Sequence, residues 1–123
     1  MAAGQVHGKT VANVVIELGR FVRPRGLGTL VASDSGVLLE RDPDTVREPD
    51  VAFTSAERLP PGSEVEGYAE VIPDLVAEVA SRGDSRYEVY DKARMLLGHG
   101  VRLVRVVNPR TRTVRVHHPD LRL

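Results

Sequence analysis

The spacing of apolar side chains changes several times along the chain, and each change marks an element. Val11, Val14, Val15, Leu18 and Val22 recur at helical spacing, and Arg23, Pro24 and Gly26 supply a stop, so the first segment reads as an amphipathic helix. "GTLVASDSGVLLERD" then reads as two short strands around Asp34, Ser35 and Gly36, which predicts a hairpin. The polar stretch "RDPDTVRE" leads to a third strand in "PDVAFTS", opened by Pro49, and "AERLPPGSEVEGYAEVIP" is a long polar loop. "DLVAEVAS" is apolar at nearly every position, the signature of a central strand covered on both faces. "SRYEVYDKARMLLGHG" places Tyr87, Tyr90, Ala93, Met95 and Leu97 in a second helix that stops at Gly98 or Gly100. "VRLVRVVNPRTRTVRVHHP" closes the chain with two strands around the turn "NPRT". The order predicts an α/β (α+β) fold with a central twisted mixed β-sheet flanked by helices.

With 123 residues the chain is expected to form a single domain over 1–123, long enough to bury a core. It has no cysteine, which excludes disulfides, thiolate metal sites and cysteine nucleophiles and favours a cytoplasmic location. No apolar run approaches the roughly 20 residues that span a bilayer, so no membrane partner is expected. Net charge is zero, but the sign separates along the chain: residues 1–33 carry +3, residues 34–91 carry −10 and residues 92–123 carry +7. Central acids flanked by bases suit a cation centre beside phosphate-attracting surfaces, and equally suit ordinary solvated faces.

Glu78 interrupts the apolar run of the central strand. A carboxylate there must find partners or lose its charge. At about 3.3 Å per strand residue, Asp74 lies roughly 13 Å away and cannot share an ion with it. Asp50, at the start of the third strand, comes close if the two strands are neighbours about 4.8 Å apart. Asp50, Glu78 and the main-chain carbonyl of Val79, completed by waters, would form an oxygen-rich site suited to Mg²⁺ or Mn²⁺. The alternative is a structural Glu78, paired with a base or raised in pKa. "GQVHGKT" ends like a phosphate-binding loop, but only Gln5, Val6 and His7 separate Gly4 from Gly8 and no strand precedes it, so that motif is rejected.

"REPDVAF", "PDLVAEVAS" and "YDKARMLLGHGVRLVRVVNPRTRTVRVHHP", in this order over residues 48–116, resemble the Uma2-like family of bacterial nucleases with the PD-(D/E)xK restriction-endonuclease-like fold. The His7-Gly8 pair before an amphipathic helix matches as well. Family members usually carry a further N-terminal segment with an acidic strand, which this chain is expected to lack. It also has Arg105 where an aromatic is common, and "ARMLL" where a tyrosine usually follows the helix lysine.

The resemblance implies a metal-dependent endonuclease acting on DNA phosphodiesters, with Asp50, Glu78 and Lys92 catalytic. The pattern's usual lysine position, two after the glutamate, holds Ala80. Lys92 in the next helix is the candidate replacement, one of only two lysines beside fifteen arginines. Lys92 reads equally well as a surface partner of Glu88 at i,i+4 spacing. Arg20, Arg23 and Arg25, and Arg110, Arg112 and Arg115, are candidate phosphate contacts. His117 and His118 face opposite sides of a strand and receive no role. The alternative function is a catalytically degenerate nuclease-fold module that binds nucleic acid or protein. A homodimer is a further option.

Overall fold

The computed structural model describes residues 4–33 and 35–119. It contains α1 (Gln5–Arg25), β1 (Gly28–Ala32), β2 (Val37–Glu40), β3 (Thr45–Arg47), β4 (Val51–Ser55), β5 (Leu75–Val79), α2 (Arg86–Gly98), β6 (Leu103–Asn108) and β7 (Thr113–His117). Five strands form one sheet in the order β1-β4-β5-β6-β7, with β5 at its centre. All neighbours in it are antiparallel except β5 and β6, which run parallel and are joined through α2.

The central strands are apolar at nearly every position because each face packs under a helix. Val51, Ala77 and Val79 cluster with Val11 of α1 on one face, with Val14, Val15 and Leu18 against them. On the other face Ala52, Val76, Val104 and Val106 pack with Ala93 and Leu96 of α2. Val51, Val76 and Val104 are completely buried. Tyr87, Tyr90, Ala93, Met95 and Leu97 all lie in α2 as expected; Ala93 and Leu96 are buried, whereas Tyr87 and Tyr90 are exposed.

Both helices end as their sequences require. α1 keeps Pro24 in its last turn and closes at Gly26, whose φ of 59° is left-handed, with the Leu27 N–H donating to Val22 O. α2 starts at Ser85, whose Oγ accepts the Glu88 N–H at 3.1 Å. Just past its end, His99 sits between two acceptors, Met95 O at 2.8 Å and Glu40 Oε1 at 2.9 Å. The Met95 carbonyl first, and Glu40 second, raise its pKa above the usual histidine value.

The hairpin expected between residues 28 and 40 does not form. β1 pairs with β4, from Gly28 opposite Ser55 to Ala32 opposite Val51, while β2 pairs with β3 in a separate two-stranded sheet. Pairing with β4 lets Leu30 join the α1 cluster, a burial that a local hairpin would not supply. Asp34, one of the expected turn residues, lies outside the described residues. β3 falls inside "RDPDTVRE", which reads as a polar connection and holds one apolar residue, Val46.

Asp74 organises the loop between β4 and β5. Its Oδ2 accepts the Ser55 N–H at 2.7 Å and its Oδ1 faces Arg58 Nε at 3.2 Å and Arg102 Nε at 3.6 Å. Arg58 also donates to the carbonyls of Ile72 and Pro73, so the long loop returns to a fixed point before β5 begins.

Candidate active site at the β4–β5 junction

The ladder between β4 and β5 pairs Val51 with Ala77. One step beyond that pair, Asp50 and Glu78 stand on adjoining strands and share a face of the sheet. The Asp50 Oδ2 accepts the Val79 N–H at 2.8 Å, which fixes its carboxylate against the end of β5. Glu78 is buried, and its Oε2 lies 3.2 Å from Lys92 Nζ. α2 delivers that ammonium from one turn before Leu96, with the Lys92 side chain nearly half exposed at 46%. Of the two sequence readings for Lys92, the structure forms the contact to Glu78, and no Glu88 pair occurs among the described residues.

His7 is the residue that sequence reasoning passed over. Its Nε2 lies 3.3 Å from Asp50 Oδ2, and it is carried by the first turns of α1. The signal for it was the His7-Gly8 pair ahead of the helix, to which the residue-by-residue reading gave no chemical role. His7, Asp50, Glu78, Val79, Ser81 and Lys92 line a cleft of about 200 Å³. A larger groove of about 740 Å³ lies between β1, β4 and the loop of residues 63–71. The carboxylates lining it, Glu64, Glu66 and Glu70, are all exposed, so it lacks the converging buried groups of the smaller cleft.

Burial pushes the Glu78 carboxyl up to about 7 from 4.5, Lys92 opposes that shift, and the neighbouring Asp50 charge adds to it. The Glu78 Oε1 is buried without a hydrogen-bond partner. An acceptor oxygen with no donor, beside a second carboxylate, is a donor set that a hard cation satisfies. Among the described residues no group of three or more His, Asp or Glu side chains converges for a metal. The two carboxylates present are a set that a hard ion such as Mg²⁺, commonly held by one or two carboxylates with most of its waters kept, can accept.

A mixed five-stranded sheet between two helices, with paired acids and a lysine at the end of its central strands, defines a protein with a restriction-endonuclease-like core. The Uma2 family, described as putative restriction endonucleases, matches residues 1–122, and the chain belongs to it. A solved structure of a putative nuclease belonging to DUF820, from Anabaena variabilis, superposes with a TM-score of 0.82 at 21% identity. The match covers 99% of this chain and 66% of that one, so the chain spans just under two thirds of that protein's length. No curated protein matches the sequence. No helix among the described residues is long and apolar enough to cross a membrane.

Proposed function

We propose that the protein is a metal-dependent endonuclease that hydrolyses DNA phosphodiester bonds. The observation that carries this reading is the meeting of Asp50, Glu78 and Lys92 in one cleft, with Glu78 Oε1 left without a donor. Asp50, Glu78 and the Val79 carbonyl would hold Mg²⁺ or Mn²⁺. Such an ion supplies Lewis acidity, offsetting charge on the phosphate and lowering the pKa of a water. Lys92 favours the ionised form of Glu78 against the effect of burial and presents an ammonium to the mouth of the cleft, where it favours the negative charge that grows on the phosphate oxygens. His7 and the Val79 N–H hold Asp50 in place from two sides. In the reaction a water oxygen joins phosphorus, one P–O ester bond breaks, and the departing oxygen receives a proton.

DNA as the substrate is supported by the family's description as restriction endonucleases, and cytoplasmic action by the absence of cysteine. Cutting both strands would suit a homodimer, which a mass measurement in solution reads directly. The test of the function is plasmid relaxation with Mg²⁺, run beside calorimetric titration of the ion. Wild-type protein should nick the plasmid and bind Mg²⁺, and Glu78→Ala should do neither. Mg²⁺ binding or nicking that survives Glu78→Ala would refute the assignment. A wild type inert in both assays would favour the degenerate module.

A further inference from the structure

A second groove, of about 400 Å³, opens directly from the cleft and shares Ala80, Ser81, Asp84, Val89 and Val106 with its lining. It runs between the first turns of α2 and the β6–β7 hairpin. The pairing of Val106 with Arg115 and of Val104 with His117 puts both β7 side chains on the α2 face of the sheet, along the groove floor. Arg86 comes from α2, and Arg110 from the hairpin turn, where Asn108 Oδ1 accepts the Arg110 N–H at 3.0 Å and sets the turn's shape. Tyr90 and His117 meet edge to face, with centroids 5.8 Å apart. Arg86, Arg110 and Arg115 are exposed, and among the described residues none of them pairs with a carboxylate. The groove's own acid, Asp84, is turned to the Ser81 N–H at 2.8 Å.

Arg110 donates to the Arg82 carbonyl at 3.5 Å, which leaves its charge without a counter-ion. Three guanidiniums without a carboxylate partner around a channel continuous with the cleft call for a polyanion. The other basic cluster on the chain is poorly placed for this. At 1.5 Å per residue, Arg20 and Arg25 lie about 20 and 27 Å along α1 from His7. Arg20 is also 3.5 Å from Glu17, and Arg25 stacks 4.1 Å over the Phe21 ring. We propose that the groove between α2 and the β6–β7 hairpin is the track that leads the substrate strand away from the cleft, with Arg86, Arg110 and Arg115 contacting its phosphates. This rests on the nuclease reading, and it selects one of the two arginine clusters as the binding surface.

The experiment is fluorescence anisotropy of a short labelled DNA duplex over a series of salt concentrations, with Ca²⁺ in place of Mg²⁺. It compares wild type, the double variant Arg110→Ala/Arg115→Ala, the single variant Arg86→Ala, and Arg20→Ala/Arg23→Ala as the control on α1. Circular dichroism confirms that each variant is folded. The groove double variant should bind roughly tenfold or more weaker, with the slope of log K against log salt reduced by about 1.8, and Arg86→Ala should lose about half of that slope change. The α1 control should match wild type. Wild-type binding by the groove variants, an equal loss in the α1 control, or no duplex binding by wild type would each overturn the track. Plasmid cleavage with Mg²⁺ separates the two ideas. A wild type that binds with this arginine dependence but never cuts sinks the nuclease reading and leaves the track standing. A groove double variant that cuts dilute DNA at the wild-type rate sinks the track and leaves the nuclease.

Discussion

The Lys92 ammonium lies 3.2 Å from the Glu78 carboxylate, across the space between α2 and the central strand. It is the cation facing a buried acid that has a second carboxylate beside it. Removing it therefore does more than delete a surface charge. Lys92→Ala should leave Glu78 more readily protonated and abolish plasmid cleavage. Lys92→Arg should keep the ion pair but impair cleavage, because a planar fork of donors does not reproduce a compact ammonium. Plasmid relaxation at equal folded concentration measures this, and full activity in both variants would remove Lys92 from the chemistry.

Stability should depend on pH through Glu78. Its folded pKa of about 7 stands above the unfolded value of 4.5, so the folded chain binds more protons between those values. For this group, stability is greatest below pH 4.5 and is lost as pH rises toward and through 7. His99, whose folded pKa is also raised, acts in the same direction, its contribution present below its unfolded pKa and lost as pH rises through the folded one. Comparing wild type with Glu78→Gln isolates the carboxyl. Without divalent ions the variant should be more stable by up to about 3 kcal/mol at pH 8 and nearly equal at pH 4. Urea unfolding at the two pH values reads this directly, and a variant that is less stable at pH 8 would contradict it.

Asp50 combines a structural hydrogen bond with a charge, and two substitutions separate them. Asp50→Asn keeps an acceptor for the Val79 N–H, so its stability should stay within about 1 kcal/mol of wild type, while Mg²⁺ binding falls. Asp50→Ala strands that N–H at the edge of the core and should cost about 1–3 kcal/mol. Calorimetric titration and chemical unfolding on the same samples decide the matter. Undiminished Mg²⁺ binding by Asp50→Asn would exclude the carboxylate as a ligand.

Gly28 tests the strand pairing that replaces the expected hairpin. A Cβ there would stand 2.2 Å from Thr54 O and 2.9 Å from the Ser55 Cα, both main-chain atoms of the neighbouring strand. Gly28→Ala should cost at least about 1–3 kcal/mol, because backbone cannot yield as the end of a flexible side chain can. A denaturation midpoint equal to that of wild type would mean that β1 does not lie against β4 as described.

The sequence made the central part of the fold legible and its edge misleading. β5 stands out because burial on both faces leaves a continuous apolar run, and the same run makes Glu78 conspicuous. α1 and α2 show their stops at Gly26 and Gly98, whereas the Ser85 start of α2 emerges only in the structure. The segment around Ser35 and Gly36 carries real turn chemistry, but β1 gains more from Leu30 under α1 than from its neighbour in the chain. β3 carries a single apolar residue, Val46, in a charged segment, and offers no periodicity to detect. His7 has no periodic signal either, because its place beside Asp50 depends on how α1 crosses the sheet, which local spacing does not encode.

The exposed loop of residues 61–68 divides the chain between the two halves of the cleft. His7 and Asp50 come before it, Glu78, Val79 and Lys92 after it, and the β4–β5 ladder rather than the loop sets how they meet. Cutting the chain in that loop would produce two polypeptides, each bearing part of the reactive set and neither complete. On the proposed nuclease reading, fusing each piece to one member of an interacting pair would make nicking a report of proximity, because the cleft exists only where β4 of one fragment finds β5 of the other.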